Sequence, residues 1–242
     1  MAERGTALVT GGSAGIGKAI CAHLLAAGYE VVSLDRRPGD GESPKLHAVS
    51  VDLTDREATA RAIADAVKRF EVLTIVHNAG VIRAAPLPEV DLDDLDDLAN
   101  LHLGCAIQLV QAALPAMQAK KFGRVVLISS RAALGLATRT TYSATKAGML
   151  GMARTWALEL APRGVTVNVI APGPIRTDMF YDVVEKGSAQ EARLAASIPV
   201  KRLGDAEDVA RAVDFFIDPA NSFVTGQVLY VCGGTSVGSL TL

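Results

Sequence analysis

The sequence is poor in cysteine, in excess positive charge and in long apolar runs. Its three cysteines lie far apart with no Cys-x-x-Cys pair, which predicts reduced core thiols and neither disulfides nor metal ligands. No apolar run approaches the ~20 residues of a membrane span, and the first residues lack the features of a signal peptide. A net charge of −2 gives the protein no positive electrostatic field that would attract nucleic acid or an anionic membrane. These absences predict a cytoplasmic protein with neither of those partners.

The chain is rich in apolar residues. Half of its 242 residues are apolar, enough for one large α/β core, and no composition shift marks a linker. Short apolar runs typical of buried parallel strands alternate with segments of helical period. The runs lie at residues 6–10, 30–34, 46–51, 72–76, 124–128, 165–170 and 227–231. The sequence therefore predicts one domain over residues 1–242, a Rossmann-type doubly wound parallel sheet of about seven strands with helices on both faces.

Glycines are concentrated directly after the first predicted strand. Gly11, Gly12, Gly15 and Gly17 precede an Ala- and Leu-rich helix that Gly28 closes. Glycines let the backbone approach a pyrophosphate, and a helix N-terminus offers free N–H groups and the positive end of its dipole. The spacing also fits a plain tight turn, but its place between a strand and a helix favours nucleotide binding.

An acidic residue ends the second predicted strand. Asp35 lies close to the ~20-residue offset at which a carboxylate accepts hydrogen bonds from an adenosine ribose. A carboxylate there repels a 2′-phosphate, which favours NAD. Arg36 and Arg37 follow at once, and an arginine can receive that phosphate, so NADP stays open.

Tyr142 and Lys146 open a predicted helix four residues apart. This spacing places both side chains on one helical face. A nearby ammonium favours a phenolate and lowers the tyrosine pKa, so the pair suits proton transfer to or from a reacting oxygen. Taken alone, such a pair is more often a solvated surface contact.

Aspartates crowd residues 91–98, where leucines recur every three residues. The aspartates could suggest a metal site. The leucine spacing instead favours an amphipathic helix whose solvent-exposed face carries the aspartates, and no metal is expected. A long apolar helix is predicted over residues 101–121, with Pro115 as a candidate kink.

Several short motifs occur together in one order along the chain. Through them the sequence resembles the short-chain dehydrogenase/reductase family, in its compact single-domain form, over essentially its whole length. No single motif carries that resemblance; the ordered set does. It consists of Thr10-Gly11-x-x-x-Gly15-x-Gly17, Asn78-Ala79-Gly80, Ser130, Tyr142-x-x-x-Lys146 and Pro172-Gly173.

The resemblance implies catalytic roles for three of these residues. Ser130 would donate a hydrogen bond to a substrate carbonyl, although its neighbour Ser129 has an equal hydroxyl. Tyr142 would be the general acid in ketone reduction and the base in alcohol oxidation. Lys146 would hold the nicotinamide ribose and lower the pKa of Tyr142.

The resemblance also assigns residues to the parts of a nicotinamide cofactor, which carries the chemistry while the protein positions it. They are Gly11, Ser13, Gly15, Ile16 and Gly17 at the pyrophosphate, Asp35 at the adenosine ribose, Asp52 and Leu53 at the adenine, Asn78, Ala79 and Gly80 at the middle, Tyr142 and Lys146 at the nicotinamide ribose, and Pro172, Gly173, Ile175 and Thr177 toward the carboxamide.

One position departs from the family pattern. Where relatives have an asparagine that helps hold a water linked to the lysine, this chain has His102. Asn100 lies two residues early and would point elsewhere on a helix. Two hypotheses follow: His102 takes over the proton relay, adding a pH dependence of its own, or the relay is impaired and activity is slow or lost.

The resemblance implies an NAD-dependent alcohol dehydrogenase or ketone reductase. The alternatives are an NADPH-dependent 3-oxoacyl carrier-protein reductase and a nucleotide-binding sensor without redox activity. The segment of about residues 178–203 should cover the substrate, and its apolar start favours a small or cyclic secondary alcohol and its ketone. Relatives pack the helices at 101–121 and 142–161 between subunits, which implies a homotetramer.

Overall fold

The computed structural model describes residues 5–37, 39 and 43–237. Seven strands, all paired in parallel, form one sheet in the order β3-β2-β1-β4-β5-β6-β7. The strands are β1 Thr6–Thr10, β2 Glu30–Asp35, β3 Leu46–Ser50, β4 Val72–His77, β5 Gly123–Ile128, β6 Val165–Pro172 and β7 Val228–Val231. The predicted fold class is confirmed. Strand order reverses between β1 and β4, which is where sheets of this kind bind ligands.

Helices cover both faces of the sheet, as the strand burial requires. They are α1 Gly15–Ala26, α2 Arg56–Arg69, α3 Leu92–Ala99, α4 Cys105–Lys120, α5 Thr140–Leu160, α6 Asp178–Tyr181, α7 Ala189–Ser197 and α8 Ala206–Ile217. Side chains of α1 and α8 form one apolar cluster with the sheet, and those of α2, α4 and α5 form the other. β1, β4, β5 and β6 are buried along their whole length, because helices cover them on both sides.

The long helix expected over 101–121 is interrupted at its start and not at its proline. A π-helical turn, Asn100–Gly104, joins α3 to α4, and α4 continues through Pro115 to Lys120. A π-turn widens the backbone locally and is frequent at functional sites. It carries His102, so the irregularity lies where the sequence departs from the family pattern.

The stretch Leu92–Lys120 is the one described helix long and apolar enough to cross a membrane by length and composition, with a mean hydropathy of 1.2. Its side chains Leu101, Cys105, Leu109 and Met117 are buried against the sheet. Core helices share this length and composition, so they are weak evidence for a membrane span.

The acidic start of this stretch has structural uses. Asp91 caps α3 by accepting a hydrogen bond from the backbone N–H of Asp93 at 2.9 Å, and Asp94 pairs with Arg83 at 2.9 Å. The predicted amphipathic helix is confirmed in α3.

Candidate active site

The turn between β1 and α1 is closed so tightly that it excludes side chains. Gly11 has φ +68°, in the left-handed region that favours glycine. A Cβ on Gly17 would lie 1.8 Å from the carbonyl oxygen of Gly11, and one on Gly12 would lie 2.4 Å from the hydroxyl of Ser33. The glycines are therefore required by this turn, whatever it binds.

The N-terminus of α1 is open toward the same turn. Its N-cap, Ala14, offers no side-chain cap, and its first turn contains no acidic residue. The free N–H groups and the dipole therefore suit a phosphate group. Thr177 lies against Gly15, since a Cβ there would be 3.2 Å from its methyl group. The residues present fit the pyrophosphate of a dinucleotide.

Asp35 is joined to the glycine turn by hydrogen bonds. Its Oδ2 accepts from the backbone N–H of Ser13 at 3.0 Å and from the Ser13 hydroxyl at 2.7 Å. Its Oδ1 accepts from the backbone N–H of Arg37 at 3.3 Å. A carboxylate can accept about four hydrogen bonds, so Asp35 retains capacity for a ribose hydroxyl. Arg36 and Arg37 are exposed, and nothing in the described part of the chain forms an ion pair with either.

The residues expected at the adenine follow β3. Asp52 accepts hydrogen bonds from the backbone and hydroxyl of Thr54 at 3.0 and 2.8 Å. The backbone hydrogen bond is the main cause that lowers the pKa of Asp52. Leu53 is buried. The backbone N–H of Val51 donates to the Asp35 carbonyl at 2.8 Å, which keeps this loop beside the end of β2.

The end of β4 is tied to the end of β1 at the switch point. The Asn78 amide donates to the carbonyl oxygens of Thr10 and Gly11 at 3.2 and 3.0 Å. The Thr10 hydroxyl accepts from the backbone N–H groups of Asn78 and Ala79, both at 3.0 Å. This network holds Asn78-Ala79-Gly80 beside the glycine turn, which brings two of the motifs together.

The two serines after β5 have different tasks. Ser129 is 3% exposed, and its hydroxyl donates to the Lys146 carbonyl at 2.8 Å. Ser130 accepts a hydrogen bond from the backbone N–H of Ala132 at 3.1 Å, where it caps a short 3₁₀ helix, Arg131–Leu134. A hydrogen bond from Ser130 also favours the phenolate of Tyr142. Only Ser130 is therefore placed to act with the tyrosine.

The expected lowering of the Tyr142 pKa by Lys146 is wrong for this structure. Burial raises the pKa of Tyr142, and Ser130 and the charge of Arg139 only partly oppose this. Lys146 is 2% exposed and donates to the Ile128 carbonyl at 2.8 Å. Its Nζ lies 5.7 Å from the centroid of the tyrosine ring. Burial lowers the pKa of Lys146 to about 7, so its charge is itself weakened at neutral pH.

His102 is fully buried beside this pair. Its ring lies 5.7 Å from the Tyr142 ring in an edge-on arrangement. A Cβ on Gly80 would lie 3.0 Å from His102 Nε2 and 3.3 Å from Lys146 Nζ. Burial and the charges of Lys146 and His77 drive the His102 pKa far below its usual range. The expectation that His102 adds a pH dependence of its own is therefore wrong, because the ring stays neutral.

The hydrogen bonds of Thr145 set the tautomer of His102. The Thr145 hydroxyl donates to the Thr141 carbonyl at 3.0 Å or to the Tyr142 carbonyl at 3.2 Å. It therefore accepts from His102 Nδ1 at 2.8 Å, which puts the proton on Nδ1 and leaves Nε2 as an acceptor. Nε2 is buried and has no hydrogen-bond partner among the residues that the structure describes. Asn100 cannot replace His102, since its oxygen accepts from Arg56 at 2.6 Å instead.

The motif after β6 returns the chain to the glycine turn. The backbone N–H of Gly173 donates to the Val231 carbonyl at 2.9 Å, just after Pro172 ends β6. Ile175 is 6% exposed, and a Cβ on Gly204 would collide with its side chain. A contact of Ile175 with a nicotinamide would therefore come from its backbone. Thr177 caps α6, where its hydroxyl accepts from the Phe180 N–H at 3.3 Å.

The comparisons with known proteins agree with this arrangement. A family model described as "Enoyl-(Acyl carrier protein) reductase" matches residues 11–236, which include every candidate residue above. The chain belongs to the short-chain dehydrogenase/reductase family. Short-chain dehydrogenases/reductases are oxidoreductases, so the coarse function is a redox reaction with a nicotinamide cofactor.

Individual relatives cover nearly the whole chain. The 3-oxoacyl-[acyl-carrier-protein] reductase MabA of Mycobacterium avium is 37% identical over 96% of this chain and 89% of its own length. The (2S)-[(R)-hydroxy(phenyl)methyl]succinyl-CoA dehydrogenase subunit BbsD of Thauera aromatica is 38% identical over 96% of each. A crystal structure of a putative NAD(P) dependent gluconate 5-dehydrogenase from Beutenbergia cavernae, with bound NADP at low occupancy, has a TM-score of 0.88 at 34% identity and covers 96% of this chain and 97% of that one.

Two residues that the structure brings to this short-chain dehydrogenase site were not predicted from the sequence. Thr145 sets the His102 tautomer, and its place between Tyr142 and Lys146 in the sequence was the available signal. Arg139 acts on Tyr142 through its charge. It lies three residues before Tyr142, close to one helical turn, and that spacing could have identified it.

Proposed function

We propose that this short-chain dehydrogenase/reductase reduces the ketone of a 3-oxoacyl thioester to the secondary alcohol. The observation that carries the proposal is the convergence of Ser130, Tyr142 and Lys146 near the tight glycine turn. The thioester is supported by the relatives, whose names specify an acyl group on a carrier protein or on CoA. This favours the 3-oxoacyl thioester over a small or cyclic alcohol, which among the relatives described above is supported by the putative gluconate 5-dehydrogenase at 34% identity.

The chain's residues divide the acid catalysis between them. When bound, the nicotinamide cofactor supplies the hydride. Ser130 donates a hydrogen bond to the ketone oxygen and so polarises the carbonyl. Tyr142 transfers its phenolic proton to that oxygen, and its raised pKa keeps the proton in place at neutral pH. Lys146 donates to the cofactor ribose in this proposal. Reduction is therefore the direction for which the protonated tyrosine is prepared.

The cofactor preference remains a proposal for NAD. Asp35 keeps free acceptor capacity with which it would bind an adenosine ribose, and its charge would oppose a 2′-phosphate. The counter-argument is the exposed pair Arg36 and Arg37, together with the NADP in a related structure. Both cofactors must therefore be tested side by side.

The first experiment follows the oxidation of NADH and NADPH over 3-oxoacyl thioesters and a panel of simple ketones. We expect turnover of a 3-oxoacyl-CoA or carrier-protein thioester, faster with NADH than with NADPH. Turnover with NADPH alone would contradict the role of Asp35 in selecting NAD, but it would not contradict the proposed ketone reduction. Turnover of cyclic or small ketones alone would contradict the proposal that the substrate is a 3-oxoacyl thioester. Cofactor binding without turnover of any ketone would favour the non-catalytic sensor.

His102 is proposed to complete the proton relay through a water. Its unpartnered Nε2 and the Nζ of Lys146 lie on the same side of Gly80 without a direct hydrogen bond. A water between them would satisfy a buried acceptor, and orphaned buried acceptors are rare. Because Nδ1 carries the ring proton, Nε2 can only accept, so the ring orients the water toward Lys146. Such a relay would resupply the proton of Tyr142.

The His102→Ala variant is expected to lower kcat roughly tenfold, since one buried hydrogen bond is worth ~1–1.5 kcal/mol. The His102→Asn variant, which keeps an acceptor, should recover most of the rate. Steady-state rates from pH 5 to 10, with thermal unfolding measured in parallel, check this. His23→Ala is the matched control, because His23 pairs with Asp214 at 2.6 Å on the other face of the sheet. An Ala variant as fast as the parent at every pH would refute the relay.

Assembly and location also stay proposals. The homotetramer rests on the resemblance, and it is supported by the exposed side chains Leu158 on α5 and Ile107 on α4. A cytoplasmic location rests on the composition alone.

A further inference from the structure

Arg139 is held at the edge of the active site by two elements at once. Its carbonyl accepts from the Ser143 N–H at 2.7 Å, in the first turn of α5. Its backbone also pairs with Ala85 in an isolated parallel bridge, on the loop that follows Asn78-Ala79-Gly80. The Ala85 N–H donates to the Thr138 carbonyl at 3.1 Å. The backbone around Arg139 is therefore fixed by hydrogen bonds both to α5 and to the loop after Gly80.

Thr138, the residue before Arg139, has an unfavourable backbone conformation in which it accepts hydrogen bonds from the Arg139 guanidinium. Thr138 has φ +61°, which is unfavourable by roughly 1–2 kcal/mol for a residue with a branched Cβ. In this conformation its carbonyl and hydroxyl both accept from Arg139 Nη1, at 3.2 and 2.5 Å. Strained residues of this kind cluster at ligand-binding sites. The remaining guanidinium N–H groups stay available.

Arg139 has no acidic partner among the described residues, unlike Arg83 and Arg176. Arg83 pairs with Asp94 at 2.9 Å, and Arg176 pairs with Asp205 at 3.0 Å. No ion pair involves Arg139, Arg131 or Arg193 within residues 5–37, 39 and 43–237. Of these three, Arg139 is the N-cap of α5, the helix that carries Tyr142 in its first turn, and its charge partly opposes the raised pKa of that tyrosine. A cation without an ion-pair partner among the described residues therefore lies at the start of the catalytic helix.

We propose that Arg139 binds a carboxylate of the substrate, close to the ketone that Tyr142 protonates. The inference rests on the proposed reduction and narrows it: the acyl group carries a free carboxylate. A guanidinium forms two parallel hydrogen bonds with a carboxylate, and such bonds are the stronger ones in proteins. The phosphate of a carrier arm is the other anion available. It lies many bonds from the reacting carbon, whereas Arg139 lies about one turn from Tyr142.

The test uses ketone pairs in which a carboxylate is replaced by its neutral methyl ester: 3-oxobutanoate with its methyl ester, and 4-oxopentanoate with its methyl ester. We expect the parent to favour the acid of at least one pair by about 10-fold to 100-fold in kcat/KM. Arg139→Gln should bring that ratio close to one, mainly by raising KM for the acid, and Arg139→Lys should keep part of it. Any change in the Tyr142 pKa affects acid and ester alike and cancels in the ratio. Arg131→Gln is the matched control and should keep the parent ratio.

The outcomes separate the inference from the proposed reaction. Ester turnover with no acid preference in the parent, or an equal preference in the Gln variant, would overturn the carboxylate site and leave the reduction intact. Preference only for substrates with a phosphorylated carrier arm, lost in the Gln variant, would overturn it in favour of the phosphate. If none of these ketones is reduced, calorimetric titration of 3-oxobutanoate into the protein with NAD⁺ decides: we expect a Kd at least 10-fold weaker in the Gln variant, and equal values would overturn the inference.

Discussion

The Tyr142→Phe variant is expected to bind the nicotinamide cofactor with the parent's affinity and to reduce ketones about 10²–10⁴-fold more slowly. The change removes the hydroxyl with which Ser130 forms a hydrogen bond and leaves a ring of the same shape, so packing against His102 is retained. Stopped-flow or steady-state kcat and a fluorescence titration of NADH measure the two quantities. A Phe variant with more than a tenth of the parent kcat would exclude Tyr142 as the acid.

The pH profiles of the same two proteins provide a second readout. Burial raises the pKa of Tyr142, so the phenol stays protonated through neutral pH and the reductive rate should not require alkaline conditions. Alcohol oxidation needs the phenolate, so its rate should rise as pH increases toward the tyrosine pKa. Both dependences should disappear from the residual activity of the Phe variant. Ser143→Ala is the matched control, because the Ser143 hydroxyl is buried and has no hydrogen-bond partner in the described part of the chain, so its removal should leave both profiles unchanged.

The Gly17→Ala variant is expected to lose cofactor binding, with a Kd for NADH at least 100-fold weaker than that of the parent. The new methyl group would lie 1.8 Å from the Gly11 carbonyl oxygen and 2.6 Å from the Asn78 amide nitrogen. Neither can move freely, because the Asn78 amide donates to that same oxygen at 3.0 Å. The turn must open, which displaces the start of α1 and costs roughly 1–3 kcal/mol or more of stability.

Chemical unfolding and a fluorescence titration of NADH test the Gly17 prediction. Gly151→Ala is the control, since Gly151 is exposed within α5 and a Cβ there meets nothing within 4 Å. That change should leave Kd unaltered and gain up to ~1 kcal/mol through helix propensity. If Gly17→Ala bound NADH as tightly as Gly151→Ala does, the tight glycine turn would not be the cofactor cradle.

Much of the fold was predictable because its signals are local. The central strands are wholly buried, so their apolar runs end where the strands end, to within two residues. Asp205 is the N-cap of α8, where it forms a capping box with Asp208, and an aspartate before an apolar helical segment is such a local signal. The π-turn Asn100–Gly104 was not predicted, whereas Pro115 was noted as a candidate kink. A proline in the sequence marks a missing donor, whereas a π-turn depends on what the opposite side of the helix contacts.

The identity of the catalytic residues could be predicted from the sequence, but the direction of the Tyr142 pKa shift and the different tasks of the two serines could not. Tyr142 and Lys146 were identified by spacing, but the same spacing suggested a lowered tyrosine pKa. The structure reverses that shift because both groups lie in a region from which water is excluded, and desolvation outweighs a distant, weakened ammonium. Ser129 and Ser130 were equivalent by sequence, and only the hydrogen bond from Ser129 to the Lys146 carbonyl separates them.

The sequence by itself determined the class of protein: strand and helix order, the glycine turn, Asp35 and the Ser-Tyr-Lys set are all encoded in neighbouring residues or fixed spacings. The tertiary structure alone decided the neutral state and tautomer of His102, the orphaned Nε2 beside Gly80, and the uncompensated charge of Arg139. These properties depend on burial and on partners that lie far away in the chain, such as Thr145 for His102 and Ala85 for Arg139. Protonation and charge balance follow from those distant contacts, and a linear pattern carries no record of them.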